Sequence, residues 1–270
     1  MAATPYTVFL AQPSTDAYDP SCQPAAQPRK AEIDPTFFDA MKVRHEVFIL
    51  EQKVPLESEI DEDDPRSCHW VAYLTTDGDD ETLPKKPVGT IRVVPYPQAP
   101  HPTPGAAYSI IDGAFVVKGH WVKKSDRSQA PDPGMPQSEL DFIPAEEDSA
   151  APSEEAERAT SLHDGKEPYV KLGRIAVVKP ARGTGLGAVL VQTTLDWIQA
   201  NPTFFDEHDS QAAAATTTTK FNGLVCLHAQ AYAMGFYTKL GFEVDEQMGT
   251  WWEEGMPHVG MFRRLDIQSV

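Results

Sequence analysis

The segment Arg174-Ile-Ala-Val-Val-Lys-Pro-Ala-Arg-Gly-Thr-Gly-Leu-Gly-Ala188 holds the residues best suited to chemistry. Branched residues that favour a strand lead into glycines at 183, 185 and 187, after which a helix pattern begins. Glycines let a backbone curl tightly and turn its N–H groups outward. Those donors, with the positive end of the following helix, make an anion site whose natural occupant carries phosphate. A P-loop would need Lys and Ser/Thr after its last glycine, and Ala188 stands there instead. A dinucleotide fold would need the third glycine one residue later, in a motif near the start of a βαβ unit. A glycine-rich turn without a ligand is the plain alternative.

A second group of chemically able residues is acidic: Glu57, Glu59, Asp61, Glu62, Asp63 and Asp64. A carboxylate there can bind a cationic amine or take its proton, and Glu59 and Asp61 are the preferred members. The plain alternative is a solvated charge run. The spacing lacks the glycine and distal glutamate of a calcium loop. His69, Arg92 and Arg174 are further candidates to line a site. His228 and Gln230 end an apolar strand, where a histidine is more often a satisfied core residue. Cys22, Cys68 and Cys226 form no CxxC pair and no metal-ligand pattern, so no metal is expected. Their sparse, odd count fits a reducing compartment.

The elements that must position these groups are legible in outline. A strand is expected near Tyr6 to Leu10. A helix over Pro35 to Leu50 should start at an Asp34 cap. His69–Leu74, Val88–Val94 and Tyr169–Val178 read as strands. The helix Ala181–Ala200 should turn Leu186, Val189, Leu190, Thr193 and Trp197 to one face. Gly223–His228 is a buried strand, Ala231–Lys239 a short helix, and Glu243–Glu246 and His258–Leu265 close the fold through a turn at Glu253-Glu254-Gly255. The pattern is α/β, with helices flanking a central mixed β-sheet, in a single domain over 1–270.

Residues 96–168 form a proline-rich insertion between the third and fourth core strands. From Ser125 to Gly165 it carries eleven acidic residues against Arg127 and Arg158, and it is expected to be partly disordered there. Tyr108 to Val122 is more apolar and suits packing on the core. Ala212–Thr219 is a second low-complexity patch. A net charge of −17 repels nucleic-acid backbones and attracts cationic amines. No run is long and apolar enough to span a bilayer, and the first residues lack a secretory pattern. A cytoplasmic protein is expected, with the nucleus open.

Arg182-Gly-Thr-Gly-Leu-Gly187 resembles the Arg/Gln-x-x-Gly-x-Gly/Ala signature of the GNAT acetyltransferase superfamily. Ala233-Met-Gly-Phe-Tyr-Thr-Lys-Leu-Gly-Phe242 is similar to that family's later Ala-x-x-Phe-Tyr-x-Lys-x-Gly-Phe element. Arg44–Gln52 resembles its first helix and Glu254–Met261 its closing strand. The likeness covers roughly residues 35–95 and 168–265, without the insertion. Pro180 stands one residue later than the family's usual proline. The resemblance implies a GNAT fold and acetyl-CoA as co-substrate. Ile175, Ala176, Val177 and Val178 would meet the pantetheine arm, with a backbone donor to the thioester carbonyl near Val177 and Val178. Arg182, Gly183, Thr184, Gly185, Leu186, Gly187 and Ala188 would hold the pyrophosphate, with Phe236 and Lys239 beside the cofactor. It also implies Tyr237 as the acid that protonates the leaving thiolate, the plain alternative being an aromatic filler; Glu59, from the acidic run, is the candidate base. The reaction would be direct attack of an amine, with a small molecule such as glucosamine as first choice and a homodimer as the family habit. A protein or peptide acceptor, or a non-catalytic acetyl-CoA-binding module, stays open.

Overall fold

The computed structural model describes residues 4–75, 86–111, 114–145, 157–209 and 220–267. In chain order its elements are β1 (Thr4–Ala11), α1 (Pro35–Arg44), β2 (Cys68–Thr75), β3 (Pro87–Val94), β4 (Ala106–Ile111), β5 (Ala114–Lys123), β6 (Leu140–Pro144), β7 (Val170–Val177), α2 (Leu186–Ala200), α3 (Thr203–Asp209), β8 (Leu224–Gln230), α4 (Met234–Thr238), β9 (Glu243–Val244), β10 (Thr250–Glu253) and β11 (Met256–Arg264). The class is mixed α/β, as expected. The chain forms two compact units, Met1–Pro95 with Leu172–Asn201, and Tyr96–Lys171 with Pro202–Val270.

In the first unit the strand order is β1-β2-β3-β7. β1 runs antiparallel to β2, from Thr4 opposite Thr75 to Ala11 opposite Cys68, and β2 antiparallel to β3. Successive strand residues point to opposite faces, and β2 shows what each face is for. His69, Val71 and Tyr73 meet α1, through Phe37 and Ala40. Trp70 points the other way, to Trp197 of α2 at 5.5 Å. The expected cap of α1 is present: the Asp34 carboxylate accepts from the N–H groups of Thr36 (2.7 Å) and Phe37 (3.2 Å). After Arg44 the helix widens into a π-helical segment over His45–Glu51. α2 begins at Leu186, five residues later than expected, because the glycines before it take a turn. Its buried stripe is Leu186, Leu190, Val191, Thr194, Leu195 and Ile198, whereas Val189 is exposed. A Cβ on Gly89 would lie 2.8 Å from Leu190 Cδ1, so that glycine lets α2 settle on β3.

In the second unit the order is β8-β11-β10-β4-β5-β6, with β9 paired to β11. β8 and β11 are antiparallel from His258 opposite Gln230 to Arg264 opposite Leu224. The hairpin at Glu254-Gly255 has positive φ at both residues (49° and 78°) and joins β10 to β11, so the strand before the turn is one the sequence did not suggest. β10 pairs in parallel with β4. Among the described residues the insertion thus supplies three strands: β4 and β5 take up most of the apolar segment expected to pack on the core, and Leu140–Pro144 pairs with β5 inside the stretch expected to be partly disordered. Ala212–Thr219 lies outside the described residues. Tyr169, Leu224, Cys226, Met248, Trp251 and Phe262 form the core. Met248 fills the space over Gly260, where any Cβ would collide with its sulfur. Among the described residues no helix is long and apolar enough to cross a membrane.

Candidate functional site

In the first unit, β7 delivers the chain to a short 3-10 turn at Lys179–Ala181, then to the glycine loop and α2. Gly183 and Gly185 take φ of 77° and 84°, a region open to glycine and strained for other residues. A Cβ on either would meet nothing within 4 Å, so the backbone here faces open space. Gly185 caps α2, and the N–H groups of Leu186 and Gly187 follow at positions that have no carbonyl one turn back. The result is the donor-rich turn at a helix start that the sequence suggested. Arg182 stretches back along the loop. Its Nε donates to Val177 O (2.9 Å), and its guanidinium grips both Glu51 oxygens at 2.7 Å. The Val178 N–H donates to Val88 O (2.9 Å), so it is engaged within the sheet rather than presented to a thioester.

Arg174 has a left-handed backbone (φ 49°) in the middle of β7. Strain of this kind persists only where the surroundings fix it. Here its side chain reaches Asp61 Oδ2 (2.9 Å) and Glu59 Oε1 (3.3 Å). Those contacts belong to a larger network. Arg44 is fully enclosed, donating to Glu59 Oε1 (2.5 Å), to the Glu59 carbonyl and to both oxygens of Asp64 (2.6 and 3.0 Å). Arg92 clasps Asp61 (2.5 and 2.9 Å) and lies 2.8 Å from Asp64. Three guanidinium groups thus face three carboxylates, and the desolvation of each charge is offset by at least two opposite partners. Burial would raise Asp61, but Arg92 and Arg174 bring it down to about 2. Burial would likewise raise Asp64, but Arg44 and Arg92 hold it well below the usual carboxylate value. Burial, outweighing the pull of Asp64, lowers His69 to about 4, so its ring is neutral at pH 7; its Nε2 lies 3.1 Å from the Asp64 carbonyl.

The structure therefore brings Glu59, Asp61, His69, Arg92 and Arg174 together around Asp64, which the sequence placed in the acidic run without preferring it, and Arg44, to which sequence reasoning gave no chemical role. Their signal was a charged residue on the buried stripe of α1 and an acidic residue directly before Pro65 in a tight turn. The acidic run is not a solvated face where it matters. Glu59 and Asp64 are buried, whereas the side chain of Asp61 keeps 33% of its surface exposed.

In the second unit, Tyr237 is buried on α4 with its ring edge-on to Phe236 at 4.9 Å and to Phe242 at 6.2 Å. Burial pushes its hydroxyl above the usual phenol range, so it carries its proton at neutral pH. Phe236 and Lys239 lie on the exposed side of the same turn. His228 stands edge-on to Trp251 (4.7 Å), with Nδ1 4.0 Å from Glu253 Oε1, and its buried Nε2 has no hydrogen-bond partner among the described residues. Burial keeps that imidazole neutral. Gln230 Nε2 donates to Met256 Sδ at 3.4 Å.

No protein-family model matches the sequence. The Bacillus subtilis protein YyaT is 32% identical over 97 residues, which are 35% of this chain; the chain spans half the length of that relative. Solved structures with a similar fold include a Lactobacillus plantarum protein described as an N-acetyltransferase (TM-score 0.46, 17% identity, covering 97% of this chain and 99% of that one). An acyl-CoA N-acyltransferase of Pseudomonas aeruginosa gives a TM-score of 0.44 at 17% identity, over 96% of this chain and 99% of its own. Escherichia coli ElaA gives 0.43 at 18% identity, over 97% and 100%. At these identities and TM-scores, activity and residue roles rest on the chain's own chemistry.

Proposed function

We propose that the chain is an acetyl-CoA-dependent N-acetyltransferase of the GNAT type that acts by direct attack of a primary amine on the thioester. The observation that carries this reading is the sequence β7, positive-φ Gly183 and Gly185, then the N-terminus of α2, with backbone donors facing open space. A pyrophosphate fits such a cradle through charge-assisted bonds from N–H groups. In this reading Ile175 to Val178 run beside the pantetheine arm, Arg182 to Ala188 hold the pyrophosphate, and Phe236 and Lys239 flank the cofactor.

Two chemical needs remain, a proton for the departing thiolate and a place for the amine. Tyr237 is the proposed acid, since a phenol kept protonated by burial can donate to a thiolate within hydrogen-bond reach. Asp61, partly exposed and ionised beside its arginines, is the proposed contact for a cationic amine. Glu59 behind it is the candidate base, Arg92 and Arg174 hold the pair in place, and His69, against Asp64, is a further candidate to line the pocket. His228 and Gln230 are proposed to line the acceptor side. A small amine such as an amino sugar is the preferred acceptor.

Thiol release from acetyl-CoA, followed across amino sugars, polyamines, arylalkylamines and peptides, tests the reading. Turnover with one class of small amine supports it and names the acceptor. Turnover with peptides alone moves the acceptor to proteins. Silence throughout, with CoA still bound in calorimetry, makes the chain a non-catalytic CoA-binding module. Tyr237→Phe is expected to lower turnover about a hundredfold or more while leaving CoA affinity unchanged; wild-type turnover removes Tyr237 from the mechanism.

A further inference from the structure

Away from every residue used above, the second unit gathers two histidines and a glutamate from distant parts of the insertion. His101 and His163 are 62 residues apart in sequence, yet His101 Nε2 and His163 Nδ1 lie 3.0 Å from each other. Glu157 Oε1 is 3.6 Å from His101 Nε2. One ligand atom from each of the three residues falls within 4.8 Å of the others, and both imidazoles are buried. Three donors around a zinc ion at bonds of about 2.0–2.2 Å stand roughly 3.3–3.5 Å apart, which these separations bracket.

We propose that His101, Glu157 and His163 form a three-ligand site for a divalent transition metal, zinc in the first instance, that staples the insertion together. The set of two imidazoles and one carboxylate suits zinc and its neighbours rather than magnesium or calcium, which take oxygen ligands.

The groups behind the donors fit a metal centre. His163 Nε2 lies 2.8 Å from the Glu167 carbonyl, which only accepts, so the ring proton is fixed on Nε2 and the Nδ1 lone pair points inward. Metal-bound histidines are oriented by this kind of outer hydrogen bond. The Tyr169 hydroxyl stands 3.5 Å from His101 Nδ1 and 3.4 Å from Glu157 Oε2, where it steadies both. Without a metal, His101 Nε2 donates its proton to His163 Nδ1. With one, that proton sits on His101 Nδ1, facing the Tyr169 oxygen, and both inner lone pairs turn to the ion.

Charge and surroundings agree. Among the described residues Glu157 has no Lys or Arg side chain within ion-pair distance; its carboxylate lies beside the His101 imidazole and accepts from the backbone N–H groups of His101 and Arg158 (3.1 Å each) and from the Tyr169 hydroxyl (3.4 Å). Phe262 and Tyr169 wall the cluster, with Phe262 5.9 Å from each imidazole ring. A cation held in such an apolar shell interacts strongly with its carboxylate. The backbone is also held ready. Asp245 accepts from Thr160 Oγ1 (2.6 Å) and from the N–H groups of Ser161 (3.2 Å) and Leu162 (2.9 Å), fixing the turn that carries His163.

The test uses the full chain, stripped with a chelator and titrated with ZnCl2 by calorimetry and with CoCl2 by visible absorption. One ion per chain, a cobalt band of four-coordinate type and a zinc-dependent rise in thermal midpoint are expected. Glu157→Gln is the mild variant, because the amide oxygen still accepts the His101 backbone N–H (3.1 Å). His163→Gln removes a second ligand. Each is expected to weaken zinc binding at least about tenfold and to remove the cobalt band, as loss of a ligand does. Zinc binding at wild-type affinity in both variants, or no zinc-dependent change in the wild type, overturns the proposal. Neither readout depends on acetyl transfer.

Discussion

Replacing Gly185 with alanine separates the cost of the loop's shape from the binding done by its backbone. Gly185 sits at φ 84°, and an added Cβ would meet nothing within 4 Å, so the substitution costs backbone strain without a clash. For an L-residue that strain is about 1–2 kcal/mol, or a drop of about 2–8 °C in thermal midpoint at 2–4 °C per kcal/mol. The methyl group occupies the open side from which a phosphate would approach. A hydrogen bond to a charged acceptor contributes about 1.5–3 kcal/mol, so displacing the phosphate from one donor weakens CoA about ten- to a hundredfold. Gly255 provides the control: its φ is 78°, its Cβ position is equally open, and it belongs to the β10–β11 turn. Gly255→Ala is expected to lose similar stability and keep wild-type CoA affinity. Thermal melts and calorimetry with CoA decide the matter. Gly185→Ala binding CoA within about twofold of wild type, or Gly255→Ala losing as much affinity, refutes the reasoning built on these magnitudes.

Glu51 occupies the guanidinium that a pyrophosphate would use, so Glu51→Gln is expected to tighten CoA about two- to fivefold, the worth of an exposed ion pair; calorimetry reads it. Arg44→Met leaves Glu59 and Asp64 with only Arg174 and Arg92 as cationic partners. It is expected to cost about 3 kcal/mol, the lower end for breaking a buried pair, or about 6–12 °C in a thermal melt. In acid, the depressed Asp61 and Asp64 set the sign. Their folded-state pKa values lie below the ordinary 3.8, so their stabilising contribution is complete above about pH 4 and is lost as pH falls toward 2. Discounted for the exposed third of its side chain, Asp61 contributes about 1–2 kcal/mol of that loss. Urea titrations between pH 5 and 2 should show the decline in wild type and a flatter profile in Asp61→Asn.

The glycine loop was readable because its chemistry is local: alternating glycines force a turn whatever surrounds them. β2, β3, β7 and β8 were readable because each is a short, largely apolar run rich in branched or aromatic residues. Beyond Tyr108 to Val122, the insertion's strands were hidden by composition. Leu140–Pro144 is five residues long in an acidic, proline-rich stretch, and it is a strand because β5 pairs with it. The buried stripe of α2 was placed one position off, since Val189 looks as apolar as Val191 until the neighbouring strand is known. The acidic run could be located but not interpreted. Whether Glu59 and Asp61 face water or arginine depends on Arg44, Arg92 and Arg174, which are distant in sequence and meet only in the folded chain.

The first unit is assembled from two stretches of chain, Met1–Pro95 and Leu172–Asn201, with Tyr96–Lys171 spliced between them. A nascent chain therefore exposes β1, β2 and β3, with α1, well before β7 and α2 are made, and this half-sheet stands with an unpaired edge meanwhile. The splice itself is thermodynamically cheap. Each doubling of a connection costs about 0.6 kcal/mol, so lengthening a five-residue turn to Tyr96–Lys171, roughly four doublings, takes about 2.4 kcal/mol. Closure of the first unit must await the strand and helix made after the insertion, β7 and α2.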